Sequence, residues 1–274
     1  KGRVLRTGEY EKPNQTYEYR FTDLNKKRCS VYAKTLEELR QKEDEIAGMR
    51  RTQGWVPDQY VFFSARFSEP FADVRLLGDK QAVLTFAPDT ETLTIAVGLS
   101  SVSAANARLN SVAEVPELDF DAVHARAAAL WREALGDIVV EGGSRDEMVN
   151  FYTALYHTMI APFAYQDVDG RYLGMDKKVH TAEPGYVNYS VFSLWDTFRA
   201  LHPLMTIINP DLATDWGKVL VQGYKEGGIL PKWPLASSYT GCMVGYPAVS
   251  VLADLVAKDL AEGDMSTWAE AGAR

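Results

Sequence analysis

Trp195, Asp196 and Arg199 put an indole, a carboxylate and a guanidinium within five residues of Ser190-Val-Phe-Ser-Leu-Trp-Asp-Thr-Phe-Arg-Ala-Leu-His-Pro-Leu204. A carboxylate and a guanidinium can share ring hydroxyls, and an indole offers a flat apolar face to the C–H side of a pyranose. On one continuous helix, Trp195 and Arg199 share a face with His202 and Thr206, and Asp196 can pair with Arg199 three residues on. A plainer reading stands beside this one. Ser193 and Asp196 have capping-box spacing, an acid in the first turn suits the helix dipole, and an exposed Asp–Arg pair contributes about 0–1 kcal/mol.

A second candidate is Leu230-Pro-Lys-Trp-Pro-Leu-Ala-Ser-Ser-Tyr-Thr-Gly-Cys-Met-Val-Gly245. Two prolines bracket Lys232-Trp233, so regular helix is excluded. A rigid loop carrying Lys232, Trp233, Tyr239 and Thr240 serves either as a pocket wall or as packing that closes helix ends. Asp167-Val-Asp-Gly-Arg-Tyr172 has alternating acids before a glycine but lacks the later acidic ligands of a calcium loop, and reads as a tight turn. Four dispersed histidines (His124, His157, His180, His202) support no triad, HExxH motif or zinc site. Cys29 and Cys242 form no disulfide framework, and Glu226-Gly-Gly lacks the Lys-Ser/Thr ending of a phosphate loop.

These candidates need elements to hold them. The 274 residues are 46% hydrophobic and 24% charged, which suits a soluble globular chain of one or two domains. A net charge of −8 argues against nucleic acid as a partner, and no apolar run is long enough to span a bilayer. Gln59–Phe67, Gln81–Ala87 and Thr92–Gly98 read as short strands with a turn at Pro88-Asp89, suggesting an antiparallel sheet or sandwich. Thr35 to Arg51 reads as a charged surface helix, and Asn110–Pro116 as a linker. Helices follow: Asp119–Leu135 stopped by Gly136, one capped by Ser144 with Glu147, one holding Trp195, one from Asn209-Pro210 to Gly227-Gly228, and one over roughly Val244–Leu260. Strands first and helices after make an α+β multidomain chain. Both ends, Lys1-Gly-Arg and Gly272-Ala-Arg274, look cut, as in a fragment of something larger.

Phe192-Ser-Leu-Trp-Asp-Thr-Phe-Arg-Ala-Leu-His-Pro-Leu204 closely resembles a signature of glycoside hydrolase family 92, the calcium-dependent exo-acting α-mannosidases. Val97–Arg108, Phe151–Thr158, Asp167–Tyr172 and Cys242–Gly245 follow the family's order, so the likeness covers about residues 55–260. Residues 1–54 match less clearly.

The resemblance implies an antiparallel β-sandwich portion (1–110), a linker helix and strand (111–143), and the first helices of an (α/α)6 barrel (144–274). It further implies inverting hydrolysis of terminal α-mannose, preferentially α-1,2, from N-glycans or mannans. Calcium would contact the sugar, in a periplasmic or extracellular setting. Inversion needs an acid and a base, two carboxylates roughly 6.5–9.5 Å apart. In the family both lie later in the barrel, so they and most of the calcium shell are expected beyond residue 274. The positions that carry over are substrate contacts: Trp195, Asp196 and Arg199, with Trp233, Lys232, Tyr239 and Thr240 beside them. Relatives often carry Glu and His where this chain has Tyr239 and Pro247. Alternatives are a non-catalytic glycan-binding or structural module, or an (α/α)6 hydrolase for another sugar. A part-built barrel is also expected to expose Val219–Val221 and Val249–Leu252 and to be poorly soluble.

Overall fold

The computed structural model describes residues 9–14, 16–22, 28–34, 45–51, 59–77 and 81–273. The chain forms two compact units, one of residues 1–50 with 61–123, the other of 51–60 with 124–274.

Among the described residues the first unit holds three small sheets and a helix. β1 (Glu9–Glu11), β2 (Tyr17–Thr22) and β3 (Arg28–Ala33) form a meander with Tyr17 opposite Ala33 and Thr22 opposite Arg28. β4 (Glu45–Arg51), β5 (Tyr60–Phe67) and β8 (Ile95–Ser100) form the second sheet, and β6 (Asp73–Leu77) with β7 (Gln81–Thr85) the third. The residues at Glu45–Arg51 are therefore strand rather than helix, and the first part of the predicted surface helix, 35–44, lies outside the described residues.

β8 shows why its sequence alternates. Ala96, Gly98 and Ser100 are buried, while Ile95, Val97 and Leu99 are exposed. The buried face meets α1 (Ala104–Glu114), whose Asn110 and Ser111 are also buried. Asn110 to Glu114 is thus the end of a packed helix and not a linker. Its small polar residues are used for docking: Asn110 Nδ2 donates to the Leu99 carbonyl (2.8 Å), and Arg66 Nε donates to Ser111 Oγ (3.1 Å). Polar composition alone misleads here because the polar groups are satisfied across the interface.

The second unit is mainly helical. α2 (Phe120–Leu135) crosses from one unit's residues into the other's; α3 (Arg145–Thr158) opens with a complete capping box between Ser144 and Glu147. Short hairpins follow: β9 (Phe163–Ala164) with β12 (Tyr189–Ser190), and β10 (Arg171–Leu173) with β11 (Val179–Thr181). Gly170 closes the turn expected at Asp167–Tyr172, donating to the Asp167 carbonyl (2.8 Å) with φ +81°. α4 (Leu194–Thr197), α5 (Leu201–Ile208) and α6 (Pro210–Gly227) come next. β13 (Pro234–Leu235) and β14 (Ser238–Tyr239) make a tight hairpin before α7 (Pro247–Ala257) and α8 (Met265–Ala273). α7 begins three residues later than the apolar pattern suggests because Pro247 takes its first position.

α6 is the organising helix. Asn209 caps it through Leu212 N–H (3.1 Å), Pro210 occupies the first turn and Gly228 ends it at φ +82°. Its inner face, including Trp216, Leu220 and Val221, packs with Phe192, Leu194, Met205, Leu252, Leu255 and Trp268. Gly217 allows the closest approach, since a Cβ there would stand 2.5 Å from Leu255 Cδ1 and 2.8 Å from a Trp268 ring carbon. Val219, Leu220, Val221, Val251 and Leu252 are therefore buried, against the expectation that these stretches are left bare. α8 packs on both α6 and α7, with Trp268 and Ala271 buried in their shared core.

Candidate functional site

The stretch from Phe192 to Leu204 is two helices, not one. Pro203 is the reason: inside a longer helix its ring would meet the carbonyl of Arg199, and it has no N–H to bond it. Here the helical run of α4 ends at Thr197, a turn spans Phe198–Ala200, and Pro203 sits in the first turn of α5. The break separates the face that a single helix would give. Trp195, Asp196 and Arg199 are exposed, whereas His202 is buried against Phe192 and Trp216. Among the described residues Asp196 and Arg199 form no ion pair. The Arg199 guanidinium instead lies 5.1 Å from the centre of the Phe198 ring.

Phe192 and Leu194 are buried at 1% and 0% exposure and anchor the segment in the core. Ser193 between them is linked to the Pro-bracketed loop. Trp233 Nε1 donates to Ser193 Oγ (2.8 Å), and Ser193 Oγ donates to Asp196 Oδ2 (2.5 Å). Two of the four loop residues named from sequence spend their hydroxyls inside the loop. Thr240 donates to the Trp233 carbonyl (2.6 Å) and Tyr239 to the Leu230 carbonyl (3.1 Å), with burial pushing the Tyr239 phenol up. Lys232 is half-buried. The structure thus joins Asp196 to Trp233 through Ser193, and leaves Trp195 exposed beside Asp196, outside that link. Tyr239 and Thr240 stiffen the loop around them.

A second polar cluster escaped the sequence reading. The Glu226 carboxylate, 5% exposed, accepts from Tyr172 OH (2.8 Å), Gln222 Nε2 (2.8 Å) and Met175 N–H (2.9 Å). His180 Nε2 lies 2.9 Å from Asp176 Oδ1 and 3.9 Å from Glu226 Oε1. Burial opposes the charge on Asp176, but the bonds from His180 and the Lys178 N–H outweigh it and hold that carboxyl below its usual range. Gly174 admits the contact, since a Cβ there would lie 2.6 Å from His180 and 2.7 Å from Glu226. Pieces from a hairpin and from the end of α6 meet only on folding, so no local spacing announces them.

One ligand atom each from Asp176, His180 and Glu226 lies within 4.8 Å of the others, as a metal would need. They do not fit calcium, which takes six to eight oxygens. The set offers two carboxylates and an imidazole, and Glu226 already accepts three hydrogen bonds. The cluster is explained as a hydrogen-bonded brace between the β10–β11 hairpin and α6.

Residues 106–273 match the family model described as the glycosyl hydrolase family 92 catalytic domain. The chain belongs to glycosyl hydrolase family 92. Among solved structures, the family 92 α-mannosidase BT3965 of Bacteroides thetaiotaomicron, in complex with mannoimidazole, is 32% identical with a TM-score of 0.76, over 84% of this chain and 33% of that one. The inverting mannosidase BT2199 of the same organism is 30% identical with a TM-score of 0.74, over 84% and 34%. This chain therefore spans about a third of the length of these family 92 enzymes. No curated protein is similar enough to match it.

Residues 1–50 match a different model, described as the DNA binding domain of Tn916 integrase. This stretch carries twelve Lys and Arg against nine Asp and Glu, while the remainder carries seventeen against twenty-eight. The net charge of −8 averages two regions of opposite sign, which removes the ground on which nucleic acid was set aside.

Proposed function

We propose that the family 92 portion is the sandwich side and first helices of an inverting exo-α-mannosidase. It acts on terminal α-1,2-mannose of N-glycans or mannans, in the periplasm or outside the cell. Trp195, Asp196 and Arg199 hold the terminal sugar, with Trp233 and Lys232 beside them and Tyr239 and Thr240 shaping the loop. The observation that carries this reading is the joining of Trp233 to Asp196 through Ser193, which sets an indole next to a presented carboxylate in a family whose solved member binds mannoimidazole. An indole face and an anchored carboxylate recognise the two sides of a pyranose. No catalytic acid or base is assigned within the chain. The calcium expected from the resemblance finds no fitting shell in the Asp176–His180–Glu226 set, so no step is routed through it.

Titration with methyl α-D-mannopyranoside, followed by tryptophan fluorescence, tests the binding half. Saturable quenching by the mannoside but not by the galactoside is expected, with Trp195→Ala and Asp196→Ala each removing it. Equal response to both sugars, or none, would defeat the reading.

A second reading applies to residues 1–50 alone: a nucleic-acid-binding module. It is supported by the match to the integrase domain, the three-stranded β1–β2–β3 sheet and the local positive charge. Fluorescence anisotropy of a labelled duplex DNA with the whole chain should show binding that weakens steeply with salt. Absence of binding at low salt would end it.

A further inference from the structure

Ser193 occupies the N-cap position of α4, where serine normally accepts a backbone N–H from the first turn. Ser144 does this at α3: its Oγ accepts from Glu147 N–H while the Glu147 carboxylate receives the Ser144 N–H (2.7 Å). Ser193 and Asp196 have the same spacing and a different outcome. The Asp196 N–H goes to the Ser193 carbonyl (2.9 Å), and Ser193 makes no side-chain cap bond. Its backbone stands at ψ 67° where Ser144 stands at ψ 164°.

The hydroxyl is used elsewhere. An indole N–H can only donate and a carboxylate can only accept, so a hydroxyl between them has one direction: it accepts from Trp233 and donates to Asp196. The donor end is fixed. Trp233 lies between Pro231 and Pro234, and the Thr240 hydroxyl holds its carbonyl. The acceptor end is half committed. Asp196 Oδ2 takes the serine proton, and among the described residues no hydrogen bond reaches Oδ1 on this exposed side chain. A link across forty residues, made by giving up a local cap, joins the loop to the carboxylate and restricts its rotation.

We propose that Ser193 is a positioning residue that locks the Asp196 carboxylate to the Trp233 loop and so presents its second oxygen to a sugar hydroxyl. This rests on the mannoside reading above for its ligand. Losing the lock leaves the carboxylate present but mobile, so affinity falls without loss of fold.

The test compares the whole chain with Ser193→Ala and Ser193→Thr. Two readouts are used: calorimetric titration with methyl α-D-mannopyranoside and the ¹⁵N–¹H resonance of the Trp233 indole. Ser193→Ala should weaken binding about tenfold, the scale of one charge-assisted hydrogen bond, while the chain still melts cooperatively at a lower temperature. Ser193→Thr should restore it. Asp196→Asn should move the indole resonance in the parent chain and leave it in place on the Ser193→Ala background. Unchanged affinity in Ser193→Ala, or an indole resonance indifferent to Asp196, overturns the proposal. If the parent chain binds no mannoside, the functional reading fails by itself, and the resonance still decides whether the lock exists.

Discussion

His202 is the buried ionisable group whose behaviour can be worked out furthest. It is 4% exposed, stacked parallel to Phe192 at 6.3 Å and edge-on to Trp216 at 5.1 Å. Its Nε2 has no hydrogen-bond partner among the described residues. Burial pushes its pKa down from 6.5 to about 4, with Asp254 offsetting a little of that. The unfolded chain therefore takes up a proton as pH falls through 6.5, while the folded chain refuses one until about pH 4. Stability is lost across that window, and the full penalty is in place below it. At 1.36 kcal/mol per pH unit the whole effect is about 3 kcal/mol. Replacing the residue by leucine removes the titration and keeps an apolar filling. Urea unfolding followed by tryptophan fluorescence should show the parent losing roughly 2–3 kcal/mol more than His202→Leu between pH 7 and pH 4.5. All other groups are shared, so the difference isolates this one. An equal acid loss in both proteins, or an NMR titration of His202 near 6.5, would refute the argument.

Two further substitutions probe the scaffold. Gly98→Ala puts a Cβ 1.9 Å from the Ala107 carbonyl oxygen and 2.8 Å from Ser111 Cβ. β8 must then pull away from α1, so a loss of about 2–3 kcal/mol or more is expected in a thermal melt, and an unchanged melt would contradict the packing. Tyr172→Phe removes one of three donors to the buried Glu226 carboxylate and should cost about 1–3 kcal/mol. Adding Glu226→Gln to that background should recover part of the loss, and full additivity of the two changes would argue against the brace.

Much of the helical half was legible because its signals are local. Ser144 with Glu147, Asn209-Pro210 and Gly227-Gly228 each place a helix end through bonds made within one turn. The antiparallel strands were legible from short alternating runs, as at β5 and β8. Misreadings came where one pattern has two physical solutions. Asn110–Pro116 has a linker's polarity, yet its buried polar groups find partners on β8 and Arg66. Ser193 and Asp196 have a capping box's spacing, yet their hydroxyl and carboxylate answer to a tryptophan forty residues away. Pro203 is a local signal for the break after Trp195, yet the sequence reading puts Trp195 and His202 on one helix, and the structure corrects it.

By itself the sequence determined the chain's α+β character, from composition and period, and its likeness to family 92, from a set of short motifs in order that includes the Trp195–Arg199 segment. Tertiary structure alone decided that His202 turns inward while Trp195 and Asp196 stay out, that Trp233 reaches Asp196 through Ser193, and that Tyr172, Asp176, His180 and Glu226 meet. Each of these depends on which groups the closing of α6 against its neighbours leaves without water. A buried polar atom must then find its partner wherever the fold has brought one.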